Sequence, residues 1–263
     1  MEQFAMADQW EFYPSQVEGM SASIYVNLSY REFSRFANAN QLAWMSIRFL
    51  QQREDGLSHP EEFESLCAIE DACVDKLEEA SVEAHYVGRN TSHGGRDYYF
   101  YTCDGPQVEK LLCQAMVQFP DYEYEVGHRQ ETDWSTYKNF LLPSPRDMQL
   151  IQNEHVIRTL EESNDLLTTP RTVLHWIYFS DHLTRENFLE RALAEGFTLD
   201  HQIEPNADKL EWGIVLARNH PVDYWSIADV TLTLFDLASE LGGEYDGWET
   251  PVVTSPSNYD SKE

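Results

Sequence analysis

The feature that most constrains the fold is the hydrophobic periodicity, which changes from strand-like to helical in the same order twice along the chain. Residues 42–50 alternate like a strand with two partly buried faces, and residues 63–77 carry apolar side chains at helical spacing. Two strands joined by a glycine-rich turn at 93–95, a second amphipathic helix and a strand at 122–128 follow. The first half is therefore predicted to run strand, helix, strand, strand, helix, strand.

The second half of the chain repeats this order. Its predicted elements are strand 172–179, helix 184–195, strands 197–203 and 210–217, helix 223–241 and strand 244–253. Each half has the element order of a split βαβ motif. The sequence thus predicts an α+β protein of two ferredoxin-like (βαββαβ) modules with antiparallel sheets. Segments 10–13 and 22–30 predict an N-terminal hairpin that extends the first sheet.

The domain boundary is predicted at Pro143-Ser144-Pro145, because two prolines stop secondary structure and stiffen the chain. The first domain is then residues 1–145. The second is residues 146–254 and opens with a helix over 146–163. Residues 255–263 are polar, include Pro256 and are predicted to be a disordered tail.

The net charge of -28 is the strongest signal in the composition. Before Pro145 there are 10 basic and 24 acidic residues, and after it 8 and 22, so the acidity is spread over both halves. Such a surface repels phosphate backbones and anionic lipids. Direct binding of nucleic acid or membranes is therefore not expected. A protein partner with a basic surface, or solubility alone, accounts for the charge.

The expected compartment is the cytoplasm. The first ten residues lack the basic and apolar regions of a secretory signal, and no run of apolar residues is long enough to cross a membrane. The four cysteines form no CxxC pair, so they are interpreted as reduced thiols. No metal-ligand spacing, nucleophile elbow or phosphate-binding loop is present, so no metal, cofactor or catalytic residue is predicted.

The first helix contains one unusual carboxylate. Ser58 and Glu61 form the pattern of a capping box, and the helix after them carries Phe63 on its apolar stripe. Glu70 lies on the same stripe, so its charge needs a partner. His85 or Arg96 on the following strands is expected to supply it. The cluster of Glu70, Asp71, His85 and Arg96 is interpreted as a structural ion pair or, alternatively, as a binding or acid–base site.

The last strand carries the sequence EYDGW, which admits two interpretations. In the structural one, Gly247 permits a bulge, Tyr245 and Trp248 fill the core or a groove, and the carboxylates are solvated. In the functional one, an aromatic anchor with acidic flanks binds a basic helix or peptide. Strict alternation would place Trp248 on the face of Glu244 and Asp246. The predicted partner-binding residues are Glu244, Tyr245, Asp246, Trp248 and Glu249.

The EYDGW run near the chain end resembles the regulator of ribonuclease E activity B family. Pro170 and Glu195-Gly196-Phe197 stand where that family places its loop and its helix-to-strand turn. The resemblance implies a ferredoxin-like fold and a protein that binds ribonuclease E and modulates it without catalysis of its own.

The first half resembles a domain family of unknown function that precedes such modules. The matching stretches are WEFY at 10–13, DGL at 55–57, IED at 69–71, GRDYYFY at 95–101 and W-x-x-Y-x-x-F-x-x-P at 134–143. The short regulators of ribonuclease E lack this half.

Three classes of function remain open on the sequence. The favoured one is a non-catalytic acidic regulator that acts by protein–protein binding, with a ribonuclease of the ribonuclease E type as the partner implied by the resemblance. The alternatives are a small-ligand-binding module and an uncharacterised enzyme, each with a site between the two domains.

Overall fold

The structure is a computed structural model that describes residues 8–207 and 210–255. The chain divides into two compact units, Met1–Pro143 and Ser144–Glu263, called unit 1 and unit 2. Apart from Ser255, the predicted disordered tail lies outside the described residues.

Unit 1 is built on a six-stranded antiparallel sheet with the order β1-β2-β4-β5-β3-β6. Its strands are β1 (Trp10–Val17), β2 (Met20–Asn27), β3 (Gln41–Arg48), β4 (Ala84–Ser92), β5 (Gly95–Thr102) and β6 (Tyr124–Gln130). Its helices are α1 (Phe63–Glu79) and α2 (Gly105–Met116). The β1–β2 hairpin pairs through β2 with β4, so the predicted extension of the first sheet is present.

The turn between β4 and β5 has the chemistry that its sequence predicts. His93 and Gly94 have φ angles of 53° and 73°. Two successive positive φ values form the two-residue turn whose twist matches that of an antiparallel hairpin. Glycine adopts such a φ without steric cost, which is why a glycine-rich sequence stands at this point.

The predicted start of α1 is wrong. The helix begins at Phe63 after a 3₁₀ turn at Pro60–Glu62, and the N-cap of that turn, His59, makes no side-chain capping bond. Glu62 instead accepts a hydrogen bond from the backbone N–H of Leu50 at 2.9 Å. This carboxylate fastens the helix start to the end of β3. Phe63 was expected to point inward but is 57% exposed.

Both faces of the unit 1 sheet are covered, but by different means. On one face α1 and α2 bury a core that includes Met45, Ile47 and Phe100. On the other face lies the segment that carries the W-x-x-Y-x-x-F pattern. Trp134 stacks on Tyr101 at 3.9 Å between ring centroids and 4° between planes. The segment therefore acts as a strap over the face opposite the helices.

Glu131 holds the start of this strap. Burial raises the pKa of Glu131, but hydrogen bonds from the Tyr101 hydroxyl and the Thr136 backbone N–H outweigh it and keep the pKa below its usual range. Arg129 donates to the other carboxylate oxygen at 2.7 Å. The ionised carboxylate thus accepts hydrogen bonds from donors on β5, on β6 and in the strap.

Unit 2 has a four-stranded antiparallel sheet with the order β10-β7-β9-β8. Its strands are β7 (Arg171–Phe179), β8 (Thr198–Ile203), β9 (Trp212–His220) and β10 (Glu244–Glu249). Its helices are α3 (Pro145–Glu162), α4 (His182–Ala194) and α5 (Tyr224–Glu240). The last strand ends four residues before its predicted end. Pro251, which has no N–H to donate, follows it closely.

The helices of unit 2 bury one face of its sheet. Phe188 of α4 and Leu234 of α5 pack against Ile177 of β7 in a shared core. Helix α3 starts with a capping box between Ser144 and Asp147, and it packs beside α5. The opposite face of the sheet carries the alternate residues of β7.

Candidate functional site

A β-bulge shapes the EYDGW strand. Tyr245 pairs with Ile177, and Gly247 pairs with the next residue of β7, Trp176, so Asp246 is the extra residue. Gly247 has a φ of 138°, which favours glycine. The bulge brings Tyr245 and Trp248 to the same side, where they are 7% and 8% exposed. Strict alternation is therefore wrong for this strand, and the bulged alternative is confirmed.

Trp248 belongs to the core of unit 2. Its indole N–H donates to Asn153 Oδ1 of α3 at 3.0 Å, and the Asn153 amide donates to Thr231 of α5 at 2.7 Å. The ring packs with Ile157 and Val173. This tryptophan therefore joins β10, α3 and α5, and it is not an exposed anchor.

Tyr245 is part of a buried polar group with two histidines. Its hydroxyl lies 2.8 Å from Nδ1 of His175, whose ring stacks on His220 at 5.7 Å. Burial, helped by the charges of His220 and Arg218, lowers the pKa of His175 to about 3. His175 is therefore neutral near pH 7, when the hydroxyl of Tyr245 and the ring share one hydrogen bond.

The buried His175 makes the stability of the protein depend on pH. The pKa of His175 is about 3 in the folded protein and 6.5 in the unfolded chain. Above pH 6.5 the imidazole is neutral in both states, so folding costs no deprotonation. As the pH falls from 6.5 toward 3, the unfolded chain binds a proton that the folded protein does not, and the folded state loses stability. We expect this residue to lower the free energy of unfolding by up to ~1.4 kcal/mol per pH unit in that window. His175→Gln should flatten the slope measured in urea melts.

The matched control for this measurement is His201→Gln, because His201 lies on the surface of the same unit with its side chain 52% exposed. The control should keep the slope of the parent protein. Equal slopes for the parent and His175→Gln would contradict a neutral buried histidine.

A groove of about 590 Å³ lies beside the bulge, entirely within unit 2. We call it the β10 groove. Its lining consists of Gln149, Gln152, His155 and Val156 of α3, Trp176 and Tyr178 of β7, and Asp246, Gly247, Trp248 and Glu249 of β10. Strand β10 is an edge strand of the sheet, so the groove runs along a sheet edge. Such an edge offers backbone groups to an added strand.

The groove combines aromatic rings with carboxylates. Trp176 and Tyr178 are partly exposed, and Asp246 and Glu249 are exposed next to them. At Gly247 no atom lies within 4 Å of the position that a Cβ would take, so the edge is open there. These groups can bind a segment that carries both apolar and cationic side chains.

The structure divides the predicted partner-binding residues. Asp246 and Glu249 line the groove, whereas Glu244 is exposed outside its lining and Tyr245 is in the core. Trp176 and Tyr178 were not predicted. The signal for them was the alternation in β7, where His175 and Ile177 point to the helices and the aromatic residues between and after them must point away.

The arginines of unit 2 are largely neutralised by nearby carboxylates. Five of its six described arginines form ion pairs within the unit, which are Arg146–Asp236, Arg158–Glu154, Arg171–Asp165, Arg185–Glu204 and Arg191–Glu240. The sixth, Arg218, lies over the ring of Phe197 at 5.0 Å. The excess of carboxylates over cations in this unit therefore remains on its surface.

The predicted polar cluster of unit 1 is only partly assembled. Glu70 accepts a hydrogen bond from Tyr86 at 2.9 Å and is paired with Arg89, which was not predicted. Arg96 is farther away, at 3.9 Å, and Nε of Arg96 donates to Thr91. Glu70 is therefore a partly buried carboxylate whose charge is matched by guanidinium groups.

Asp71 and His85 lie apart from this cluster. Asp71 is exposed. His85 points to the other face of the sheet, where Nε2 is 3.6 Å from Glu83 and the ring contacts Phe36 at 4.7 Å. Burial lowers the pKa of His85. The expected pairing of His85 with Glu70 is therefore wrong, because neighbouring residues of a strand point to opposite faces.

The described residues hold neither a metal-binding cluster nor a helix that could span a membrane. Residues 8–207 and 210–255 contain no group of three or more His, Cys, Asp or Glu side chains placed to hold a metal ion. Within the same ranges, no helix has the length and apolar character required to cross a membrane.

Comparison with known proteins identifies both parts of the chain. No curated protein matches it. Among solved structures, it is similar to the crystal structure of an unknown protein from Galdieria sulphuraria, with 12% identity and a TM-score of 0.22 over 79% of this chain and 96% of that chain. Residues 150–250 match the family Regulator of ribonuclease activity B, and residues 8–142 match DUF695. The chain belongs to the family of unknown function DUF695 and continues into a region, residues 150–250, that is similar to the family Regulator of ribonuclease activity B.

Proposed function

We propose that the protein is a non-catalytic regulator that acts by binding another protein in the β10 groove. The observation that carries this proposal is the composition of the groove, which has an aromatic floor, two exposed carboxylates and an open strand edge. The groove lies within the residues that match Regulator of ribonuclease activity B. The resemblance to that family favours a ribonuclease of the ribonuclease E type as the partner.

Each unit is proposed to be a ferredoxin-like module. In both units the four strands of the strand–helix–strand–strand–helix–strand order have the same neighbours, β4-β5-β3-β6 in unit 1 and β8-β9-β7-β10 in unit 2. This shared order, with the helices on one face, supports the assignment.

The proposed ligand of the groove is an extended basic segment of the partner. Such a segment can add to the edge of β10 through its backbone, while its Arg or Lys side chains meet Asp246 and Glu249. Its apolar side chains can contact Trp176 and Tyr178. Charges at the rim mainly raise the association rate, and the aromatic contacts mainly lengthen the life of the complex.

The site is proposed to act in the cytoplasm and to have no direct nucleic-acid ligand. The net charge is -28, and the described arginines of unit 2 are mostly paired, so few cations are free to neutralise phosphates. The four cysteines are free thiols, as suits a reducing compartment.

The proposal is tested with the purified chain and a purified ribonuclease E-type endonuclease. We expect measurable binding by calorimetry and a change in the rate of cleavage of a fluorogenic RNA, with no cleavage by the chain alone. The double variant Asp246→Asn/Glu249→Gln should weaken binding at low salt by roughly tenfold, about 1.4 kcal/mol for the two rim charges. The difference should shrink as salt is raised.

A matched control is the double variant Glu190→Gln/Asp229→Asn, which removes the same charge from exposed positions on α4 and α5. The control should bind like the parent protein. Failure of the chain to bind the endonuclease, or an equal loss in both double variants, would rule out the groove as the docking site for this partner.

A further inference from the structure

The face of the unit 1 sheet opposite α1 and α2 carries a row of polar side chains. In register, Asn90 on β4 is opposite Asp97 on β5, Asp97 is opposite Ser46 on β3, and Ser46 is opposite Glu125 on β6. We call these four residues the polar row. Residues next to them in sequence, such as Met45, point to the helix side and belong to the core. The row therefore crosses four adjacent strands on one face.

Two cavities meet at this row. They measure about 460 and 490 Å³ and share Ser46, Asp97 and Phe140. Asn90 and Glu125 line the first, whereas the second is more aromatic and is lined by Leu42, Trp44, Tyr99, Arg129 and Thr136 besides the shared residues. Phe140 of the strap stands edge-on to Tyr99 at 6.0 Å. A polar recess thus continues into an aromatic one.

Asp97 lies at the junction of the cavities with few strong partners. Ser46 donates to its Oδ1 at 2.5 Å, but Tyr99 and Asn90 approach its Oδ2 only at 3.4 and 3.5 Å. Within the described ranges no basic side chain forms an ion pair with it. A partly buried carboxylate without a countercharge is unfavourable, so a cation at this point would be stabilised.

The amide oxygen of Asn90 lacks a hydrogen-bond donor, and this observation is independent of the charge on Asp97. The residue is 2% exposed and lines the first cavity. The amide nitrogen donates to Ser92 at 2.8 Å and faces the carboxylate of Asp97 at 3.5 Å, and an ionised carboxylate can only accept. The amide oxygen has no hydrogen-bond partner among the described residues. Buried acceptors are nearly always satisfied, so this oxygen points to a ligand with N–H or O–H groups.

The charge of the first cavity favours a cationic ligand. Its lining includes the carboxylates Glu18, Asp97, Glu123 and Glu125 against one guanidinium, that of Arg48. That guanidinium already donates to the backbone carbonyl of His93 at 3.3 Å. The lining of the first cavity therefore carries a net negative charge.

We propose that this face of unit 1 binds a small organic ammonium ion. An ammonium group has three N–H donors and no acceptor, which suits Oδ2 of Asp97 with its long contacts, the unpartnered oxygen of Asn90 and the exposed carboxylate of Glu125. The apolar body of the ligand lies in the second cavity against Phe140 and Trp44. This site is separate from the β10 groove and does not rest on the function proposed for it.

The test uses phenethylamine as the probe, because it joins a primary ammonium to one aromatic ring, and phenethyl alcohol as its neutral analogue. Calorimetry on the full chain should show saturable binding of the amine with one site, and binding of the alcohol about tenfold weaker or less. Asp97→Asn should weaken binding of the amine about tenfold or more. Glu125→Gln should weaken it less, because Glu125 is exposed.

The matched control is Asp75→Asn, an exposed carboxylate on α1 outside both cavities. It should bind the amine like the parent protein, and thermal melts should accompany every variant. If Asp97→Asn is unfolded, Glu125→Gln decides the result. Equal binding of amine and alcohol, unchanged binding by the folded acidic-site variants, or no saturable binding at millimolar amine would overturn the proposal. Displacement of the amine by Ca²⁺ at equal concentration would overturn its ligand class.

Discussion

Trp248→Ala is expected to lower the free energy of unfolding by about 3–5 kcal/mol, the cost of removing a large buried aromatic side chain. Trp248 is 8% exposed, packs with Ile157 and Val173, and donates to Asn153.

Trp176→Ala, in contrast, removes a partly exposed ring from the floor of the β10 groove. It should leave the fold intact and weaken partner binding by about 2 kcal/mol or more, the loss expected of an aromatic hot spot.

The two tryptophan variants are separated by measuring both properties. Urea unfolding followed by far-UV circular dichroism gives the stability, and calorimetry with the ribonuclease E-type partner gives the binding. Trp248→Phe is the matched control, because it keeps an aromatic ring while it loses the bond to Asn153 and part of the ring volume, so it should cost less than Trp248→Ala. A Trp248→Ala protein that is as stable as its parent would contradict the core position of this residue.

The contrast between these two residues shows what periodicity alone can and cannot predict. Alternation in β7 assigns Trp176 and Ile177 to opposite faces, and the structure agrees. In β10 the same rule fails, since one extra residue at Asp246 changes the face of everything after it. Gly247 indicates in the sequence that a bulge is sterically possible, but the pairing of β10 with β7 determines whether the bulge forms.

Elements whose signals are local were predicted well. The His93-Gly94 turn and the hairpin of β1 and β2 follow from residue types within a few positions. The order of strands in each sheet is not local, and it required the structure. Likewise the strap at 134–141 contains no strand or long helix, so its packing on Tyr101 could not be derived from periodicity.

Ion-pair partners were the least predictable part of the candidate sites. The sequence places Glu70 on the apolar stripe of α1, and its need for a cation follows from physics. The choice of Arg89 depends on a register shift in β4 between Tyr86 and Gly88. That shift turns Arg89 toward the helices, where it faces Tyr98, and leaves His85 on the far side. The register shift of one residue in β4 thus determines that Arg89 is the partner of Glu70.

Asp165→Leu and Arg171→Met are each expected to destabilise the protein by about 3–5 kcal/mol, because each leaves a buried charge without its partner. Nη1 of Arg171 lies 2.5 Å from Asp165, and the two side chains are 4% and 0% exposed. The backbone N–H of Val253 also donates to Asp165 at 2.6 Å. The ion pair therefore ties the residues after β10 to the loop between α3 and β7.

A double-mutant cycle separates the buried charges from the packing. When both partners are replaced, no unpaired charge remains, so Asp165→Leu/Arg171→Met should cost less than the sum of the single changes. Some loss must persist, because Arg171 also donates to the carbonyl oxygens of Leu166 and Pro251. The measurement is the urea midpoint of all four proteins near pH 7. Although burial raises the pKa of Asp165, its bonds from Arg171 and Val253 hold it below the usual range, so the carboxyl is charged there. Strict additivity would mean that the two charges do not stabilise each other.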